Sequence, residues 1–299
     1  TTLYAMFHYC ISLQEVKGIG TWDVSSVTIM DQMFRNCRKL EYLDVKDWRP
    51  SSCTTFSSMF SDGASNTGKM TLKDLDVSQW DMSSAENLNW MFYGCGSLVT
   101  VDMSNWNVEK LTTMGHMFAD CYKLEKISFA GWNTPKLNTI DALFNNCESL
   151  KSVDVSDLDT ANVVEFSQAF EYCYRLEKII GLDKWVTTSG QDFGEMFSSC
   201  GSLKELDLSS FDTTNAKDSY VNASNGDGND RFHDFHGFVL VEVRILLRYH
   251  LQPFVTVDDR MKTSASCPSV VVAYQSEYLY IVPFAVHGFY EVLSQCDAS

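Results

Sequence analysis

The chain has 299 residues, and 45% hydrophobic residues with 13% aromatics suffice for a sizeable core. Its 23 basic against 39 acidic residues leave a net charge of -16, which argues against nucleic acid and anionic membranes as partners, because phosphate is held through lysine and arginine. The longest apolar stretch, residues 239–251, is broken by Glu242, Arg244 and Arg248, so no segment is suited to insert across a bilayer.

From the N-terminus, Met6-Phe7-x-x-Cys10 opens a series that returns as Met33-Phe34-x-x-Cys37, Met91-Phe92-x-x-Cys95, Met117-Phe118-x-x-Cys121, Leu143-Phe144-x-x-Cys147, Ala169-Phe170-x-x-Cys173 and Met196-Phe197-x-x-Cys200. Successive phenylalanines (Phe7, Phe34, Phe60, Phe92, Phe118, Phe144, Phe170, Phe197) are 27, 26, 32, 26, 26, 26 and 27 residues apart. Several residue types keep phase at this period, which is the mark of a solenoid. Residue 1 falls inside a repeat whose strand half is missing, so the chain reads as a piece of a longer one.

Within a repeat, apolar residues fall at i, i+3, i+4 and i+7, as in Met30, Met33, Phe34 and Cys37, or Ile140, Leu143, Phe144 and Cys147. That spacing predicts one buried face of a short helix. Thr28, Thr54, Thr112 and Asn138 stand where an N-cap belongs, and Asp31 and Asp141 follow three residues later. An alternating segment comes next: Leu43-Asp44-Val45, Leu75-Asp76-Val77, Val101-Asp102-Met103, Val153-Asp154-Val155 and Leu206-Asp207-Leu208, a strand with one face buried. A bulky residue closes the turn out of it (Trp22, Trp48, Trp80, Trp106, Trp132, Leu158, Trp185, Phe211). One repeat cannot bury enough surface to fold alone, so neighbours must stack, strands forming a parallel sheet on one side and helices lining the other.

The pattern C-x-S-L-x-x-L-D-V-S-x-W-D-x-S-x-V-x-x-M-x-x-M-F resembles the BspA-like leucine-rich repeat family, whose repeats are associated with mycoplasma lipoproteins and bacterial surface proteins. The resemblance covers residues 1–218. It implies an α/β solenoid of about eight coils of 26–27 residues, an extracellular or cell-surface setting, virion-associated proteins included, and binding of a protein or host-surface receptor rather than catalysis. Three copies depart from the pattern: Gly63 stands at a cysteine position beside extra residues at 61–71, Leu158 replaces tryptophan, and Ile179-Ile180-Gly181-Leu182 interrupts the strand pattern.

Two ladders are candidate sites. The seven in-register cysteines are read either as buried thiols acting as small apolar groups or as partly bridged neighbours; helices packed about 8–10 Å apart favour the first. The strand aspartates Asp44, Asp76, Asp102, Asp154 and Asp207 form a row on the exposed sheet face. Either serines two residues on (Ser78, Ser104, Ser156, Ser209) satisfy them, or a cation or basic surface lies along the row.

Residues 219–237, rich in Gly, Asn and Asp, read as a linker. Within it Asp227, Asn229 and Asp230 are calcium candidates, calcium being the one cofactor considered; His233 and His236 with Asp234 are a weaker metal set, and Asn222 opens a glycosylation sequon. Residues 238–299 are β-branched and aromatic and predict a small β-rich module of four or five strands that caps the solenoid or mediates self-assembly. Cys267 and Cys296 are candidates for a disulfide there. No nucleophile elbow, zinc-protease motif or phosphate loop is present, so a binding or display protein is expected, with a structural subunit of a filament, envelope or virion as the alternative.

Overall fold

A computed structural model describes residues 1–63, 70–217, 271–275 and 278–282. The described residues up to 217 wind as a stacked series of coils, each hydrogen-bonded to the next in parallel. One rail runs through every coil: Thr2, Ile29, Thr55, Asn87, Thr113, Thr139, Glu165 and Asp192 pair in register as single parallel bridges. On another side, short strands β1 (Asp74–Asp76) and β2 (Thr100–Asp102) form one parallel sheet, and β3 (Lys126–Ser128), β4 (Ser152–Asp154) and β5 (Lys178–Ile180) a second. A hydrogen bond from Glu125 N to Val99 O continues the stack between the sheets. The seventh copy keeps its strand, since parallel pairing through backbone groups places Ile180 opposite Asp154 without needing an acidic side chain. Residues 43–45 and 206–208 alternate inward and outward but form no assigned strand. Strands β6 (Val271–Gln275) and β7 (Tyr278–Val282) form an antiparallel pair in the C-terminal segment.

The expected helices are absent among the described residues. The i, i+3, i+4, i+7 pattern instead belongs to two successive turns, each with its ends inward and its middle pair outward. In the second coil Met33 N bonds to Met30 O and Cys37 N to Phe34 O, while Gln32 N and Phe34 N reach across to Ser57 O and Met59 O of the next coil. A helix would have sent those amides to its own chain four residues back. Gln32 and Asn36, third in their turns, have positive φ (57° and 62°), the geometry of a type II turn, and the same two positions recur at positive φ along the stack. The N-cap residues serve the rail: Thr54 N bonds to Thr28 O and Asn138 N to Thr112 O. Asp31 reaches forward to the next coil, accepting from Thr55 Oγ1 at 2.5 Å and Ser57 N at 2.8 Å.

Inside, the periodic residues form continuous columns. The phenylalanines from Phe7 to Phe197 stack at ring-centroid spacings of 5.2–5.8 Å. The tryptophans stack beside them, and the indole N–H of Trp48, Trp80, Trp106, Trp132 and Trp185 donates to a carbonyl of the preceding coil. Buried indoles thereby leave no orphan donor.

Candidate functional site

The sheet face can be judged directly. Asp76, Asp102 and Asp207 are exposed and Asp154 half-buried, and Asp76 stands opposite Asp102. Each accepts locally: Ser78, Ser104 and Ser156 donate both their backbone N–H and hydroxyl to Asp76, Asp102 and Asp154 at 2.7–3.1 Å, and Ser209 N donates to Asp207 at 2.9 Å. These bonds hold the Asp102 and Asp207 carboxyls below the ordinary value. The row is broken by Ser128 and Ile180, both in register with Asp154. Asp44 has Lys46 in place of the serine. It is a set of closed turns rather than a continuous ion track.

The cysteine ladder is closed in a different way. Coils lie much nearer than packed helices, so separation does not keep the sulfurs apart. The eight described cysteines are free thiols, and six of the in-register set donate Sγ–H to a phenylalanine carbonyl one coil back at 3.0–3.3 Å: Cys37 to Phe7, Cys95 to Phe60, Cys121 to Phe92, Cys147 to Phe118, Cys173 to Phe144 and Cys200 to Phe170. Burial pushes Cys37 and Cys200 up to about 12 and Cys95, Cys147 and Cys173 well above the ordinary thiol value. Thiols held so far from the thiolate are poor nucleophiles and metal ligands. Asp227, Asn229, Asp230, His233, His236, Asn222, Cys267 and Cys296 lie outside the described residues, as does the core of the 61–71 insertion.

The turn face holds a cavity of about 400 Å³. It arises from the outward positions of the turns. In most coils these carry long side chains, but Ala119 and Ala142, on neighbouring coils, carry only a methyl group and form its floor. One wall is aromatic: Trp90 stacks on His116 with centroids 4.0 Å apart, and Tyr93 meets Trp90 edge-on at 4.8 Å. The opposite wall is acidic: Glu171, Tyr172 and Glu195, with Gln168 bridging to Glu195 at 2.9 Å and Asn145 donating to Glu171 at 2.7 Å. Trp90 and Tyr172 are each 37% exposed, so part of each side of the groove reaches solvent.

Asp120, Glu171 and Glu195 line the groove, with Asp120 accepting from Asn146 Nδ2 at 2.8 Å and from Tyr122 OH at 3.0 Å. Burial and the neighbouring Glu195 charge raise the Glu171 carboxyl above its ordinary value. Tyr93 is pushed up to about 12 by burial and by Asp120. His116, the one basic group in the lining, faces Asp141, with Nε2 3.0 Å from Oδ2. Ser167 donates to the other Asp141 oxygen at 2.9 Å. Burial alone would raise Asp141, but the bonds from His116 and Ser167 outweigh it and hold this carboxyl low. With the carboxylate between imidazole and hydroxyl, the imidazole does not meet Ser167 as the base of a nucleophilic triad would.

The candidates read from the sequence were the aspartate and cysteine ladders and residues beyond 218, and this groove was not among them. The signal lay in the variable positions of M-x-x-M-F-x-x-C, where two adjacent alanines are flanked by Trp90, Tyr93 and His116 on one side and Glu171, Tyr172 and Glu195 on the other.

A family model described as "Mycoplasma protein of unknown function, DUF285" matches residues 1–72, 64–179 and 127–229. Among solved structures, a leucine-rich repeat protein from Eubacterium ventriosum is similar at 18% identity and a TM-score of 0.39, over 67% of this chain and 57% of that one. The functional domain of InlJ from Listeria monocytogenes, described as including a cysteine ladder, aligns at 16% identity and a TM-score of 0.17, over 66% of this chain and 47% of that one. The chain thus spans less than two thirds of either structure. No curated protein matches it.

Proposed function

The chain belongs to the DUF285 family of mycoplasma proteins of unknown function, and from that premise we propose that it is a non-enzymatic binding protein of BspA-like type, displayed outside the cell, whose turn face engages a protein partner. The observation that carries this reading is the groove over Ala119 and Ala142, a concave break in the turn face with an aromatic and an acidic wall. Repeat stacks suit such a role because each coil fixes its neighbours, so variable outward residues are presented on a pre-ordered surface at little entropic cost. The sheet face is flat and its carboxylates are closed within their own turns, whereas the groove offers a partner a concave surface.

Selection of peptides from a displayed random library against the full chain tests this assignment. Binders enriched on the parent should be lost on Ala142→Trp, which fills the groove. That variant should fold, because Trp90 occupies the equivalent turn position at φ 63°. The same binders should persist on Asp76→Asn/Asp102→Asn. Persistence on the filled groove with loss on the sheet-face variant would transfer the site to the aspartate row.

A further inference from the structure

On the first three coils, at the opposite end of the turn face from Glu195, buried donors stand without acceptors. We infer that Arg35, Asn36 and His8 form a second site there, one that takes a carboxylate group presented by an acidic side chain of a protein partner. It is separate from the groove and does not depend on what the groove binds.

The unanswered donors arise from the repeat itself. Asn36 and Asn146 hold the same place in their coils, one residue before the ladder cysteine. Asn146 Nδ2 donates to Asp120 Oδ1 on the preceding coil at 2.8 Å. For Asn36 the preceding residue in that column is Tyr9, which has no carboxylate, and Asn36 Nδ2 lacks a partner although the residue is only 1% exposed. Its Oδ1 accepts from Gly63 N at 2.7 Å, which fixes the way the amide faces. Arg35 Nε and His8 Nε2 are the other buried side-chain nitrogens without a partner among the described residues. Burying a donor unanswered costs stability, and a carboxylate oxygen would answer it.

Space and charge fit that ligand. A methyl group on Gly63 would lie 3.1 Å from Arg35 Nη2 and 3.5 Å from both Arg35 Nε and Asn36 Oδ1. Gly63 stands where the other coils carry cysteine, so the third coil puts no side chain between guanidinium and amide. His8 holds the same place as Arg35 one coil back, and burial, then the Arg35 charge, keep its imidazole below the ordinary value. A neutral imidazole can still donate from Nε2. Arg38 is paired with Asp62, Nε to Oδ1 at 3.1 Å, whereas Arg35 enters no ion pair among the described residues. One positive charge beside a neutral imidazole suits a singly charged carboxylate, which two nitrogens of a guanidinium hold side by side, better than a doubly charged phosphate.

Nitrogen-15 NMR of the full chain tests the site at roughly 0.15 M salt, where charges beyond about 8 Å are largely screened. The probe is a peptide of serine and glycine with one central glutamate, blocked at both ends, compared with the same peptide carrying glutamine. The Arg35 Nε–H and Asn36 side-chain amide signals should shift to saturation with glutamate and stay in place with glutamine. Arg35→Gln should weaken the binding about tenfold or more. Asn36→Asp should abolish it by setting a carboxylate in the site, and should fold, because Asp120 holds the equivalent position at φ 62°. Lys39→Gln removes an exposed charge from the same coil and should leave binding intact. Equal responses to the two peptides, or glutamate binding unchanged in both Arg35→Gln and Asn36→Asp, would overturn the site. Saturation by inorganic phosphate at a lower concentration than the glutamate peptide would overturn the carboxylate assignment. Acetate binding as tightly as the peptide would overturn the protein source in favour of a free carboxylic acid.

Discussion

Glu171 concentrates the energetic tension of the groove. Its folded pKa is raised, first by burial and then by Glu195, so at neutral pH its ionised form works against the fold. A carboxyl raised in the native state binds its proton more tightly there than in the unfolded chain. Its contribution is favourable below the unfolded value, near 4.5, and is lost as pH rises through the folded one. Glu171→Gln should therefore raise the urea midpoint at neutral pH, and the gain should shrink to nothing in acid. Asp102 and Asp207 behave oppositely: their lowered values make the serine bonds stabilising above the unfolded aspartate value and lost as pH falls through the folded one. Backbone strain gives a second residue-level test. Gly131 and Gly181 both adopt φ 84°, but a methyl group on Gly131 meets nothing nearer than 3.7 Å, whereas on Gly181 it would lie 2.3 Å from Ser156 Cα. Gly131→Ala should cost about 1 kcal/mol, the left-handed penalty alone, and Gly181→Ala clearly more; equilibrium denaturation of the pair would show whether coils approach as closely as described.

The turns and columns show how much of an element is written in its sequence. Burial was legible throughout: Met30, Met33, Phe34 and Cys37 are all fully buried, as are Ile140, Leu143, Phe144 and Cys147. Their conformation was not, because two in-out-out-in turns in succession place apolar residues at the same four positions as a helix. What decides between them is where the alternate amides go, and Ser57 O and Met59 O belong to the next repeat, beyond any local pattern. The thiol ladder was legible as apolar packing, but its carbonyl partners follow from the close coil spacing that a helical picture excludes. The columns predict large losses on truncation. Phe118→Ala, removing a ring stacked on Phe92 at 5.3 Å and Phe144 at 5.8 Å, should cost about 3–5 kcal/mol. Trp106→Phe keeps most of the apolar bulk and removes the indole donor to Val77 O, which still accepts from Trp80 N, and should cost about 0.5–1.5 kcal/mol, read from the shift in denaturation midpoint.

For the whole molecule, the period of the phenylalanines was sufficient to anticipate a stack, while the functional surface depended on residues that break the consensus. The groove needs Trp90 and Tyr93 from one coil, Ala119 and Ala142 from the next two, and Glu171 and Glu195 from two more, so no single repeat contains it. Only the parallel register of coils brings these positions together. That register also makes the groove a fixed shape, since its walls stand on turns hydrogen-bonded from coil to coil. The most direct check is an indole NMR titration of the full chain with a peptide enriched on it in the library selection. The resonance of Trp90, the tryptophan that lines the groove, should move to saturation, while those of the buried Trp48, Trp80, Trp106, Trp132 and Trp185 stay in place. Saturable binding that leaves the Trp90 resonance unmoved would contradict the assignment of the turn face as the binding surface.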